Sequence, residues 1–150
     1  MRKLLVLAFF LIPLTGYSAN GIISIQSTNG SVEEVANRFE AILNKKGLKL
    51  FARINHSDGA KSVNLNLAPT ELLIFGNPKV GTPLMQCSQT TGIDLPQKML
   101  IWQDDKGLVW LTYNDPKYIA ERHGISENCA KVITKIGKVL NVLANAASKP

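Results

Sequence analysis

The chain has 150 residues, of which 45% are hydrophobic and 19% charged, and its formal net charge is +6. This length suits one domain that buries its own core, and the sequence has no internal repeat, linker or low-complexity tract that would indicate several domains. The positive charge is mild and spread along the chain. In an exported protein it argues little for a nucleic-acid partner, and none is predicted, but the charge is compatible with a weak attraction to anionic ligands.

The first 19 residues have the layout of a secretory signal peptide: two basic residues, an apolar run of about eleven residues and an exit of small residues. The run is well short of the ~20 residues that span a bilayer, so a retained anchor is the weaker interpretation. Cleavage after Ala19 or after Ser18 removes both basic residues and lowers the formal charge from +6 to +4. We therefore expect a signal peptide over residues 1–19 and one mature domain over residues 20–150, periplasmic or secreted, with no stable membrane span.

The mature chain opens with a strand and a helix. Residues 22–28 alternate loosely between apolar and polar side chains, which predicts the strand. Ser31 and Glu34 then have the spacing of a capping box, and apolar residues recur behind them at helical intervals. Gly47 is placed to end this helix in the left-handed conformation.

Four further strands are predicted. Residues 48–56 alternate, as in a half-buried strand, and residues 69–75 are apolar on both faces, as in a central strand. The polar residues 57–66 between them predict a loop. Residues 99–103 and 108–113 flank the turn sequence DDKG and predict a hairpin, across which the tryptophan of each strand could pack.

The chain closes with two predicted helices. Asp115 caps a short helix that runs to Gly124, and a longer helix with one buried stripe covers about residues 126–146. Lys131, Lys135 and Lys138 share the face opposite that stripe, which is typical of a solvated surface. The order of elements predicts a two-layer α+β domain, with an antiparallel sheet of about five strands covered by helices on one face.

The stretch IFGNPKVGTPL, residues 74–84, raises the main functional question. Its two glycines have the spacing of a P-loop, but the lysine that should follow the second glycine is missing, which excludes Walker-type nucleotide binding. One interpretation is a well-formed turn, in which Thr82 is the N-cap of a short helix and Pro83 its first residue.

The alternative is a ligand site over residues 76–82. Free backbone amides at a helix start, next to a cation, form a natural site for a carboxylate or another anion. Asn77, Lys79 and Thr82 are the side chains expected to contact such a ligand.

Signals for catalysis are weak. The chain has no metal-binding spacing of histidines or cysteines and no nucleophile-elbow motif, and no metal or cofactor is predicted. His56 and Glu71 could face one another across paired strands and act as an acid–base pair, but an edge histidine and a solvent-facing glutamate are the simpler interpretation. Cys87 and Cys129 could form a disulfide in an oxidising compartment or remain as two small buried hydrophobic residues.

Several longer segments together carry a family resemblance: FARINH, PTELLIFGNPKVGTPLM, GIDLPQKMLIWQDDKGLVWLTYNDP and RHG. With them the sequence resembles the bacterial family catalogued as domain of unknown function 302, over roughly residues 31–124. The resemblance implies a compact α+β domain of strand, helix, four strands and helix, similar to one half of the TATA-binding protein fold. It implies no activity and no catalytic residues.

Three functions remain open. The first is an exported, non-catalytic module that binds a small anionic ligand at residues 76–82. The second is a module that forms a homodimer or docks on another envelope protein. The third is an enzyme that uses His56 and Glu71.

Overall fold

The computed structural model describes residues 18–19 and 21–150. The predicted signal peptide, apart from residues 18 and 19, lies outside the described residues. These two residues form a short strand on the edge of the sheet.

The described residues form one sheet and five α-helices. The strands are β1 (Ser18–Ala19), β2 (Ile22–Gln26), β3 (Lys49–Asn55), β4 (Thr70–Gly76), β5 (Gln97–Gln103) and β6 (Val109–Asn114). The helices are α1 (Val32–Lys45), α2 (His56–Ser62), α3 (Pro78–Cys87), α4 (Pro116–Arg122) and α5 (Ala130–Ala147), with short 3-10 turns at Gln89–Ile93 and Glu127–Cys129. The five predicted strands and the α+β class are confirmed.

The sheet is antiparallel throughout, in the order β1-β2-β6-β5-β4-β3. Strands β5 and β6 form the predicted hairpin, in which Trp102 and Trp110 lie directly opposite each other. Asp104 closes the turn because its Oδ1 accepts the amides of Lys106 and Leu108. Its Oδ2 accepts the Trp110 indole N–H at 2.9 Å, and this bond, together with the turn amides, lowers the pKa of the carboxyl group.

One face of the sheet carries the core. Alternate residues of the central strands are fully buried there, among them Leu73, Met99, Ile101 and Leu111. Helices α1 and α5 cover this inner face, and Phe39 of α1 meets Phe75 of β4 edge to face. The alternation along each strand therefore decides which residues the helices bury.

The opposite face of the sheet stays partly exposed. The residues between the buried ones point to this side, and we call the apolar part of it the outer sheet face: Ile54, Leu72, Ile74, Leu100, Trp102 and Trp110. Ile54 is 40% exposed, whereas its inner counterparts on β4 and β5 are fully buried. The domain therefore has two layers, with all of its main helices on one side.

The first helix forms as its sequence predicts. Ser31 accepts the amide of Glu34, and the Glu34 carboxylate accepts the amide of Ser31 at 2.7 Å, so both halves of the capping box are present. Gly47 follows the helix with φ +66°, the left-handed exit for which glycine has no steric penalty.

The end of the last helix is bonded to the start of the domain. The carbonyl of Ser148 accepts the amide of Thr28 at 2.8 Å and both hydroxyls of Ser27 and Thr28. Arg38 of α1 donates its Nε–H to the carbonyl of Ala147 at 3.1 Å. Helix α5 thereby caps its own carbonyl end with donors from the first loop and the first helix.

Candidate functional site

The helix after β4 begins earlier than the sequence analysis predicts. Asn77, not Thr82, is the N-cap of α3, and its side chain accepts the amide of Lys79 at 2.9 Å. Pro78 occupies the first helical position, and Pro83 lies inside the helix. The prediction of Thr82 as N-cap is wrong, because Asn-Pro and Thr-Pro give the same start signal and the chain uses the first.

This early start engages the amides that were expected to be free. The amides of Val80 and Gly81 donate to the carbonyl of Asn77 at 2.9 and 3.0 Å, and the amide of Lys79 donates to its side chain. Since a bonded donor offers little to a ligand, an anion at residues 76–82 has to be bound by side chains.

The same segment nevertheless lines a cavity of about 320 Å³, which we call the main pocket. One wall comes from α3 and the other from α5, and the strands and the segment before β5 close the remaining sides. The apolar part of its lining consists of Leu48, Phe51, Phe75, Pro78, Val80, Met85, Leu95, Pro96, Ile136, Val139 and Leu140. The pocket is therefore apolar over most of its surface and open at the rim.

The three predicted ligand residues take different positions around it. Asn77 and Thr82 line the main pocket, as do the glycines at positions 76 and 81. Lys79 does not. It borders a shallower depression of about 210 Å³ next to the pocket, together with Lys131 and Lys135. Lys135 and Val80 line both cavities, so the two are neighbours.

A disulfide joins the end of α3 to the turn before α5. Cys87 and Cys129 are bonded, with their Cα atoms 6.3 Å apart and a sequence separation of 42. The bond links two of the segments that lead into the pocket walls.

A cluster around His123 reinforces the same connection. The imidazole Nε2 lies 2.6 Å from Asp94 Oδ2, and Nδ1 lies 2.9 Å from the Thr90 hydroxyl. Arg122 donates to Asp94 Oδ1 at 3.2 Å, and Ser88 donates to the backbone carbonyl of His123. The histidine side chain is only 7% exposed and borders neither cavity, so the cluster clamps the 88–94 segment to the end of α4.

The candidate acid–base pair of His56 and Glu71 does not form, and the simpler interpretation of a solvent-facing Glu71 is also wrong. The Glu71 side chain is on the inner face of β4, where it is 8% exposed and its Oε2 accepts the Nε–H of Arg53 at 2.6 Å. His56 begins α2 and is exposed. The physical reason is that the register places Arg53 on the same face as Glu71, and a buried carboxylate is stabilised by such a charged donor.

Sequence reasoning missed both the pocket and the clamp. The pocket lining comes from four separated segments, residues 48–51, 75–85, 92–97 and 135–140. The clamp joins Asp94 and His123 across 29 residues, and only their presence in the segments GIDLPQKML and RHG gave any signal.

Two curated proteins are similar to this chain over 136 residues at 42% identity: fluoride-specific ion channel FluC 1 of Brucella suis biovar 1 and fluoride-specific ion channel FluC 1 of Brucella abortus biovar 1. The match covers 88% of this chain but only 53% and 50% of those proteins, so the chain spans about half the length of the curated relatives it matches. Among residues 21–150, no helix of the structure has both the length and the apolar character needed to cross a membrane.

A solved structure shares the fold. The crystal structure of an uncharacterized conserved protein DUF302 from Bacillus stearothermophilus superimposes with a TM-score of 0.76 at 17% identity, and the match covers 86% of this chain and 99% of that one. The family model for domain of unknown function DUF302 matches residues 23–143. With the fold and the sequence model in agreement, the chain belongs to the DUF302 family.

Proposed function

We propose that this protein is an exported, non-catalytic module that binds a small ligand in the main pocket. The observation that carries the proposal is the pocket itself, an apolar cavity built around the residue 76–82 segment. A volume of about 320 Å³ falls at the lower end of the range of roughly 300–1,000 Å³ that ligand pockets occupy. The ligand is therefore small and has a substantial apolar part.

The lining also supports a binding role over a catalytic one. Among the described residues, Lys135 is the only titratable side chain in the wall of the main pocket. General acid–base chemistry needs a group within hydrogen-bond reach of the reacting proton, and the carboxylates and histidines of the domain lie elsewhere. Asn77 and Thr82 supply neutral polar atoms that can orient a ligand.

Export is part of the proposal. The first residues have the pattern of a signal peptide, and the disulfide between Cys87 and Cys129 suits an oxidising compartment.

The test is a ligand screen with a matched pair of variants on α5. Val139 lines the main pocket and is 41% exposed, whereas Val142 is 58% exposed and does not line it. Val139→Glu should weaken binding of any pocket ligand found by calorimetry, because it places a charge on an apolar wall. Val142→Glu should bind as the wild type does. Equal affinity of both variants for every ligand found would contradict the proposed site.

A second candidate function is docking on a membrane channel. The observation that favours it is the match to about half of two proteins named as fluoride-specific ion channels. A domain that is part of a channel protein in one organism is a reasonable partner of such a channel in another. The outer sheet face offers two tryptophans and four aliphatic residues for that contact, and aromatic side chains are enriched in interfaces.

This second candidate is tested by measuring binding of the purified domain to a reconstituted channel of that kind. Leu100→Glu places a charge on the outer sheet face and should abolish binding, whereas Val142→Glu on α5 should not. If sedimentation instead shows a dimer that Leu100→Glu dissociates, the face belongs to a second copy of this chain.

A further inference from the structure

We infer that the ligand of the main pocket is an amphipathic anion, with an apolar chain in the pocket and its negative head group on the neighbouring cluster of three lysines. The inference rests on the proposed ligand-binding function and names the class of ligand. From the sequence, we expect the anion to bind to free backbone amides next to Lys79. In the present inference, the side chains of Lys79, Lys131 and Lys135 bind it instead.

The first step is the arrangement of the two cavities. The main pocket is apolar, and the shallower depression beside it is bordered by the three lysines together with Val80, Pro83 and Val132. Since Lys135 and Val80 belong to both linings, the two cavities adjoin, and a ligand that extends from the pocket past Lys135 reaches the depression that Lys79 and Lys131 border. An apolar site that opens onto a cationic one selects a molecule that has an apolar part and an anionic part.

The second step is the charge balance of the cluster. The ion pairs among residues 21–150 involve Arg53, Lys61, Arg122 and His123, and none of them includes Lys79, Lys131 or Lys135. Within the part of the chain that the structure describes, no acidic side chain borders the depression. Three like charges around one small depression repel one another, and an anionic head group would relieve that repulsion.

The third step is the nature of lysine itself. Its long aliphatic stem can cover apolar surface while the ammonium group remains in water. Lys135 combines both roles by bordering the apolar pocket and the charged depression. The flexible heads of the three lysines suit an exposed carboxylate or phosphate better than a buried one.

Calorimetry with four probes on the wild-type protein tests the ligand class. Decanoate has both required parts, decanol has only the chain, acetate has only the charge, and decyltrimethylammonium has the opposite charge. We expect decanoate to bind roughly tenfold more tightly than decanol, as for one charge-assisted contact, with acetate and the cation weaker than decanol. The decanoate affinity should fall as salt is raised from low to high concentration, because the lysines are exposed.

Decyl phosphate, titrated in parallel, distinguishes the two head groups that the lysine cluster would accept. Tighter binding than decanoate assigns a phosphate head, and weaker binding assigns a carboxylate. Either result supports an anionic amphiphile, provided that decanol binds less tightly than both.

Lysine variants provide the site-specific test. Lys79→Gln and Lys131→Gln should each weaken decanoate binding severalfold and leave decanol binding unchanged, because both lysines border the depression and neither lines the main pocket. Lys138→Gln is the matched control, since this exposed lysine of α5 borders neither cavity. The proposal of an anionic amphiphile would be overturned if decanoate and decanol bind with equal affinity and neither lysine variant changes either affinity. If Val139→Glu nevertheless weakens the binding of both probes, the apolar pocket remains the binding site. If none of the probes binds, the proposal of an amphiphilic ligand is also overturned. Whether the main pocket binds another ligand is then decided by the wider ligand screen.

Discussion

Removing the disulfide should cost a large part of the stability of the domain. The bond between Cys87 and Cys129 closes a loop with a sequence separation of 42. On the chain-entropy model, a loop of this length restricts the unfolded chain by about 4 kcal/mol at 25 °C. The free energy of unfolding of a small domain is only about 5–15 kcal/mol. The double variant Cys87→Ala, Cys129→Ala should therefore remain folded, but with a low free energy of unfolding.

The assay is equilibrium unfolding in urea, followed by tryptophan fluorescence. The double variant should unfold at a lower denaturant concentration, with a free energy of unfolding lower by about 4 kcal/mol and a melting temperature lower by roughly 10 °C. The reduced wild-type protein is the control and should resemble the double variant, because both lack the cross-link. A double variant as stable as the oxidised wild type would refute the reasoning, since it would show that the loop is not restricted by this bond.

Three further predictions concern polar groups of the core and of the hairpin. Burial raises the pKa of the Tyr113 hydroxyl and the Asn141 side chain opposes that shift, but the hydroxyl makes no hydrogen bond of good geometry among the described residues. Tyr113→Phe should therefore change the free energy of unfolding in urea by less than about 1 kcal/mol, and a larger loss of stability would show that Asn141 bonds to the hydroxyl. The lowered pKa of Asp104 means that its carboxylate stabilises the fold at neutral pH, so the stability difference between wild type and Asp104→Asn should be present at pH 7 and disappear as the pH falls below the ordinary value of 3.8. A difference that persists unchanged in strong acid would contradict that assignment. Arg53→Met should destabilise the protein by about 3 kcal/mol because it leaves the buried Glu71 carboxylate without its charged donor, and adding Glu71→Leu should restore most of the loss in a double-mutant cycle.

The parts of the fold that depend on local patterns were predictable. The capping box at Ser31 and Glu34 and the left-handed Gly47 define α1 from sequence, because each is a short-range interaction with few alternatives. The same is true of the hairpin closed by Asp104 and Gly107, whose φ of +78° needs glycine.

Helix starts were less certain where two signals competed. Asn77-Pro78 and Thr82-Pro83 both match a cap followed by proline, and tertiary packing decides between them. The seven residues of α2, HSDGAKS, have no apolar periodicity, and the sequence therefore predicts a loop there. The helix is stabilised by the Asn55 cap and by Ser57, which donates a hydrogen bond to the Ala68 carbonyl.

The candidate site was predictable only in its location. Asn77 and Thr82 do line the pocket, but no sequence pattern indicates that a second wall comes from α5. The lysines of that helix were interpreted as a solvated surface, which describes Lys138 but overlooks the depression beside Lys131 and Lys135. Periodicity shows which residues of a helix face inward, yet it does not show where two elements leave a gap between them.

The bonds between Ser148 and the segment around Ser27 and Thr28 have a consequence for the order of folding. The acceptor carbonyl and the two hydroxyls that donate to it are 121 and 120 positions apart in sequence. Helix α5 is one of the two helices that cover the inner face of the sheet, so this face stays partly uncovered until α5 packs on it. Contacts between residues so far apart require a large loop to close before they stabilise the chain, and we therefore expect the docking of α5 to be a late step of folding.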